Sequence, residues 1–169
     1  KSIPLIVKTF VSAVNSLFKK RTNSDLRTDQ DINMGVVIVG IVLLILAIWI
    51  IEIIPIPLIG AIMIVIFGFF FATVSSRMVG LVGSSNNPVS GMAIATLLIS
   101  TLMLKATGMT GAAGMTAAIS IGSIICIIAA ISGDTSQDLK TGFLLGSTPK
   151  TQQIGEIIGV LASSLAIGG

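Results

Sequence analysis

Polar and apolar positions divide the chain near residue 33. Within residues 1–20, Ile3, Ile6, Val7, Phe10, Val11, Val14, Leu17 and Phe18 recur at helical spacing, and Lys8, Ser12, Asn15 and Lys19 fall largely elsewhere on the wheel. This pattern predicts an amphipathic helix with Phe towards lipid and Lys towards water; a soluble helix packed on a neighbouring domain is the other arrangement it allows. Residues 21–33, RTNSDLRTDQDIN, are polar and aperiodic and predict a loop.

From Met34 the pattern changes. MGVVIVGIVLLILAIWII is an uncharged run of 18 residues, the length at which an apolar segment reads as a spanning helix. Trp49 near its end suits an interfacial anchor, and Glu52 with the PIP of residues 55–57 closes it, because proline lacks the backbone donor. Further apolar runs predict spans at about 58–75, 89–105, 108–131 and 154–169, after a first at 34–54. Residues 1–33 are then a cytoplasmic helix and loop, and residues 34–169 a membrane domain. The connection from the first span to the second is short enough to require an antiparallel hairpin. The run at 91–104 is short for a full crossing, and residues 132–153 read as a polar connector.

Composition agrees with this reading. The chain is 53% hydrophobic and 10% charged, with a mean hydropathy of +1.04, against roughly 25% charged residues in soluble domains. The expected fold class is all-α, a polytopic transmembrane helix bundle with a short polar broken or re-entrant element. Six Lys/Arg and three Asp precede residue 32, a surplus equal to the +3 of the whole chain. The basic balance therefore belongs to a segment flanking the membrane, and nucleic-acid binding is not expected. Basic residues favour the cytoplasmic side. The N-terminal loop, Arg77, Lys140 and Lys150 then share that side, and Lys105 alone falls outside. The predicted location is a plasma or inner membrane, crossed several times.

Cys126, the only cysteine, lies in an apolar run and reads as a packed thiol. Histidine is absent, so no metal site and no cofactor are expected. No Walker A loop, nucleophile elbow, triad or CxxC is present, so the chain is not expected to be an enzyme. Gly108, Gly111, Gly114, Ala118 and Gly122 form a smooth helical face, and Gly155 and Gly159 a GxxxG pair. Such faces let helices approach closely, within the protein or in a homo-oligomer.

Two polar segments interrupt the apolar pattern. In GLVGSSNNPVSG, Ser84, Ser85, Asn86, Asn87, Pro88 and Ser90 cannot face lipid, because unpaired polar backbone is costly there. The segment is an aqueous loop or a broken element lining a cavity; the short apolar run after it favours the second. In SGDTSQDLKTG, Asp134 and Asp138 stand four residues apart near Lys140. They suit a proton or a cationic substrate, or a hydrated loop with Asp134 as a helix cap.

Together, GLVGSSNNPVSGMAIATLL (80–98) and ISGDTSQDLKTGFLLGSTPKTQQIGEIIG (131–159) closely resemble the oligopeptide transporter family, which includes the yellow-stripe-like metal-chelate transporters. Members are much longer, which implies that this chain is a fragment whose partner is the remainder of a transporter. The resemblance implies a proton-coupled secondary transporter of small peptides or peptide-like metal chelates, working by alternating access in a lipid bilayer. It implies that Ser84, Ser85, Asn86, Asn87, Pro88 and Ser90 belong to a substrate-cavity element, and Asp134, Gln137, Asp138 and Lys140 to a second motif near the pathway. Two other classes compete: a small non-transporting subunit of a membrane complex, and an intramembrane enzyme using Asp134 or Asp138.

Overall fold

The computed structural model describes residues 8, 11, 15, 26–50 (Trp49 by its backbone alone), 56–83 and 86–168. Of the expected amphipathic helix, only Lys8, Val11 and Asn15 are described, each helical and exposed. The Trp49 side chain expected as an anchor, and Glu52, Pro55, Ser84 and Ser85, lie outside what the structure describes.

The described residues form helices joined by short turns, with no strand among them. A 3-10 turn at Arg27–Asp29 precedes α1 (Met34–Ile50), α2 (Leu58–Val82), α3 (Val89–Ala106), α4 (Gly111–Leu144) and α5 (Pro149–Gly168). Local chemistry sets the ends. Asn33 Oδ1 accepts the Gly35 N–H at 2.9 Å, satisfying one of the orphan donors that open α1. Pro57 precedes α2, where a missing N–H breaks no helical bond. Two glycines stop helices in the same way. After α3, Met109 N–H reaches Leu104 O (2.9 Å) and Gly108 N–H reaches Lys105 O (3.1 Å). After α4, Ser147 N–H reaches Gly142 O (2.8 Å) and Gly146 N–H reaches Phe143 O (3.1 Å). Both are Schellman closures, which need a left-handed residue at the turn; Gly108 (φ +83°) and Gly146 (φ +74°) supply it.

Residues 132–144, read from sequence as part of a connector, continue α4 instead; only 145–148 turn. At 34 residues, α4 is about 51 Å long, more than the roughly 30 Å hydrocarbon core. The excess corresponds to its polar last third. Asp134 therefore sits inside a helix and caps none.

Contacts fix the helix directions. Along α2 and α4, Gly60 meets Ile121, Gly68 meets Ile128 and Gly80 meets Ser136, so the two run parallel. Along α3 and α4, Leu97 meets Gly122, and Met109, just past α3, meets Gly114, so these two are antiparallel. Helix α4 is the centre of the bundle: Ala117, Ile121, Ile125 and Ala129 are fully buried, and Leu104 of α3 is 1% exposed. Glycines sit at these crossings because a Cβ at Gly60, Gly80 or Gly122 would lie within 3.0 Å of its neighbour. The glycine face expected from Gly108 packs only from Gly114 onward, because Gly108 lies in the turn and Gly111 (φ +72°), which opens α4, has nothing within 4 Å of a Cβ position. Gly155 and Gly159 have nothing within 4 Å of a Cβ position.

Outward-facing Leu, Ile and Val along α1, α2 and α3 are exposed, as a lipid solvent requires. The segment Arg27–Ile48, which holds most of α1, and helices α2, α3 and α4 are each long and apolar enough to cross a membrane; α5, opened by Lys150, Thr151, Gln152 and Gln153, is not among these four. The strap at 26–33 docks on the α4–α5 turn. Arg27 donates to Gly146 O (2.8 Å), Lys150 N–H to Gln30 O (2.9 Å) and Ile32 N–H to Gln153 Oε1 (3.0 Å).

Candidate functional site

The two polar segments, over forty positions apart in sequence, meet on one side of the bundle. Helix α2 ends at Gly83 (φ +106°), whose N–H donates to Val79 O at 2.8 Å. The chain reverses within 83–88, with Asn86 N–H on Gly83 O (3.2 Å), and α3 starts after Pro88. This places Asn87 against the middle of α4. Its Nδ2 donates to Ala129 O (3.2 Å), and its Oδ1 accepts from Ser75 Oγ (3.0 Å). Ser75, fully buried on α2, also lies 2.5 Å from Ala129 O, so its single hydroxyl hydrogen is within reach of two acceptors.

This node exists because position 133 carries no side chain. A Cβ on Gly133 would lie 2.5 Å from Asn87 Nδ2, 2.9 Å from Ser75 Oγ and 3.0 Å from Val79 Cγ2. The notch lets a carboxamide reach a helical carbonyl directly. In a medium where water is excluded, such pairing is what makes polar side chains tolerable.

Further along the same seam, Ser136 Oγ donates to Ser76 O (2.7 Å), and Lys140 Nζ donates to Gly80 O (2.5 Å). The Lys140 ammonium thus sits at the C-terminal end of α2, where carbonyls lack helical partners and the dipole is negative. Asn86 and Ser90 are exposed, Pro88 is half-buried, Asp134 and Asp138 are exposed on α4, and Gln137 is half-buried there. Asn87 and Lys140 thus both bind to the α2–α4 seam, and Asp138 faces the other way. It lines a cleft of about 310 Å³ with Thr141, Gly142, Ser147, Gln152 and Glu156.

Several of these partners carried no signal strong enough to find from sequence. Ser75 and Ser76 are visible only as a hydroxyl pair within the apolar run of α2. Gly133 is one glycine among many, and Gln152 is one polar residue at a helix start.

A bundle with four crossing-competent helices and a polar seam between them defines a multi-pass integral membrane protein. Comparison with known proteins identifies which kind. The sequence profile described as OPT oligopeptide transporter protein matches residues 5–169. The chain belongs to this family, which is one of transporters and not of enzymes. A curated Haemophilus influenzae protein named "Putative oligopeptide transporter" is 38% identical over 112 residues, 61% of this chain and 18% of its own length. A Saccharomyces cerevisiae protein with the same description is 31% identical over 125 residues, 74% of this chain and 17% of its own. The chain thus spans less than a fifth of the relatives it matches. No solved structure matches significantly.

Proposed function

We propose that this chain forms one part of a proton-coupled secondary transporter that moves oligopeptides, or peptide-like metal chelates, by alternating access. The family match over residues 5–169 carries the reading. The polar seam supports it: Asn86, Pro88 and Ser90 flank the Asn87 lock, Ser84 and Ser85 precede them in the sequence, and Asp134, Gln137, Asp138 and Lys140 occupy the adjoining third of α4. Asn87 acts by positioning. Its Ser75 and Ala129 contacts hold the α2–α3 connection in place, so that neighbouring amides and hydroxyls form a fixed wall of the pathway. The strap and the α4–α5 turn share one side of the bundle, and the basic residues there support a cytoplasmic placement of that side.

The test is uptake by the full-length transporter in proteoliposomes. An acid-outside gradient drives accumulation of a tripeptide or a metal chelate, and a protonophore abolishes it. Asp138→Asn lowers uptake while leaving insertion intact. Uptake indifferent to the gradient refutes proton coupling, and failure to move either substrate refutes the transport reading.

A further inference from the structure

The cleft between the last turns of α4 and the first turns of α5 has an unusual balance of hydrogen-bonding groups. Its floor is Gly142, where any Cβ would collide with the carboxamide of Gln152. That carboxamide lies flat on bare backbone, and its Nε2 donates to Asp138 O at 3.2 Å. Its Oε1 is then turned inward, fully buried, with no donor. Glu156, one turn further along α5, also holds a fully buried Oε1 with no donor. A buried acceptor left unpaired is costly, and a native protein rarely keeps two together without a ligand or partner that answers them.

The rest of the lining points the same way. Asp138 adds a second carboxylate, and Thr141 and Ser147 add hydroxyls. No Lys or Arg lines the cleft. Of the described cations closest in sequence or contact, Lys140 Nζ donates to Gly80 O, Arg27 donates to Gly146 O beside the cleft, and Lys150 stands exposed at the start of α5. No group of three His, Cys, Asp or Glu suited to a metal ion occurs among the described residues. The volume, about 310 Å³, is at the lower end of small-ligand sites. The missing complement is a compact group with positive charge, several donors and no acceptor. A primary ammonium has three N–H donors and no lone pair.

We propose that this cleft binds a primary ammonium group, with Glu156 and Asp138 supplying the charge and Gln152 Oε1 an acceptor. In a peptide transporter that group is the amino terminus of the peptide; this assignment of the source rests on the function proposed above, whereas the ammonium site itself does not.

The experiment is calorimetric titration of the full-length transporter, in detergent, with three probes: tri-alanine, N-acetyl-tri-alanine and butylammonium. Tri-alanine and butylammonium bind the wild type, and acetylation weakens the peptide by about tenfold or more, the loss expected for a charged hydrogen-bond donor. Glu156→Gln removes the preference for the free amine and weakens butylammonium to a similar degree. Asp138→Asn serves as the second variant should Glu156→Gln fail to fold. Equal affinity for tri-alanine and its acetylated form, or variants that keep the preference, overturns the site and leaves peptide transport standing. Butylammonium binding that depends on Glu156, without peptide binding, keeps the site and overturns the peptide source. Binding by none of the probes overturns both.

Discussion

The Asn87 carboxamide occupies the space that a side chain at position 133 would take: a Cβ on Gly133 would stand 2.5 Å from Asn87 Nδ2. One residue lies in the short connection ahead of α3 and the other in the middle of α4. The absence of one side chain is thus the condition for the other's hydrogen bond to Ala129 O.

Gly133→Ala should destabilise the full-length protein by about 1–3 kcal/mol, as overpacked core sites do. Gly91→Ala, where nothing lies within 4 Å, should be neutral or stabilise by up to about 1 kcal/mol, because alanine is the better helix former. Thermal unfolding in detergent checks the pair. Equal effects at the two sites would refute the notch.

Asn87→Ala removes a donor to Ala129 O and an acceptor for Ser75 Oγ. We expect a loss of about 1–2 kcal/mol, with Ser75 left to bind Ala129 O alone. Asn87→Asp should cost more, since its carboxylate can only accept and would face a carbonyl oxygen. The order Asn, Ala, Asp in unfolding temperature is the readout. Asp equal to Asn would mean that the amide donor is idle.

Gly80 and Ser136 should be energetically coupled. A Cβ at Gly80 would lie 2.9 Å from Ser136 Oγ, which donates to Ser76 O. Gly80→Ala and Ser136→Ala should each destabilise, and the double variant should recover part of the first loss. A non-additivity of about 0.5 kcal/mol or more in a double-mutant cycle is expected. Simple additivity would place the two helices farther apart at this crossing.

The strap contact can be trapped. Lys150 N–H lies 2.9 Å from Gln30 O, which brings the two α-carbons close to disulfide range, about 4.4–6.8 Å. Cysteines introduced at positions 30 and 150, with Cys126 replaced by Ser, should cross-link on mild oxidation. A Thr110→Cys partner, at the opposite turn of the bundle, should not link to position 30. Formation of the second bond in place of the first would contradict the docking of the strap.

Much of the bundle was legible in sequence because lipid imposes a simple rule. Backbone polar groups must be satisfied internally, so long uncharged runs become helices, and prolines and glycines at their borders mark the ends. The runs at 34–54, 58–75 and 89–105 announce α1, α2 and α3 in this way. Polarity misled at 132–144, because a helix that projects past the hydrocarbon can be polar and remain a helix; the stop was Gly146, followed by Pro149.

Sequence by itself determined the membrane class, the helical content and the family likeness, and it marked out two polar segments, since each depends on local composition or on linear motifs. Only the tertiary structure decided what those segments touch. Parallel packing of α2 on α4 brings Ser75 and Gly133 into one seam, and the reversal at 83–88 brings Asn87 to it. The Schellman turn at Gly146 swings Gln152 over Gly142 and leaves two acceptors unanswered. Such pairings depend on helix direction, register and the few missing side chains that allow close approach, and these are set by packing between distant parts of the chain.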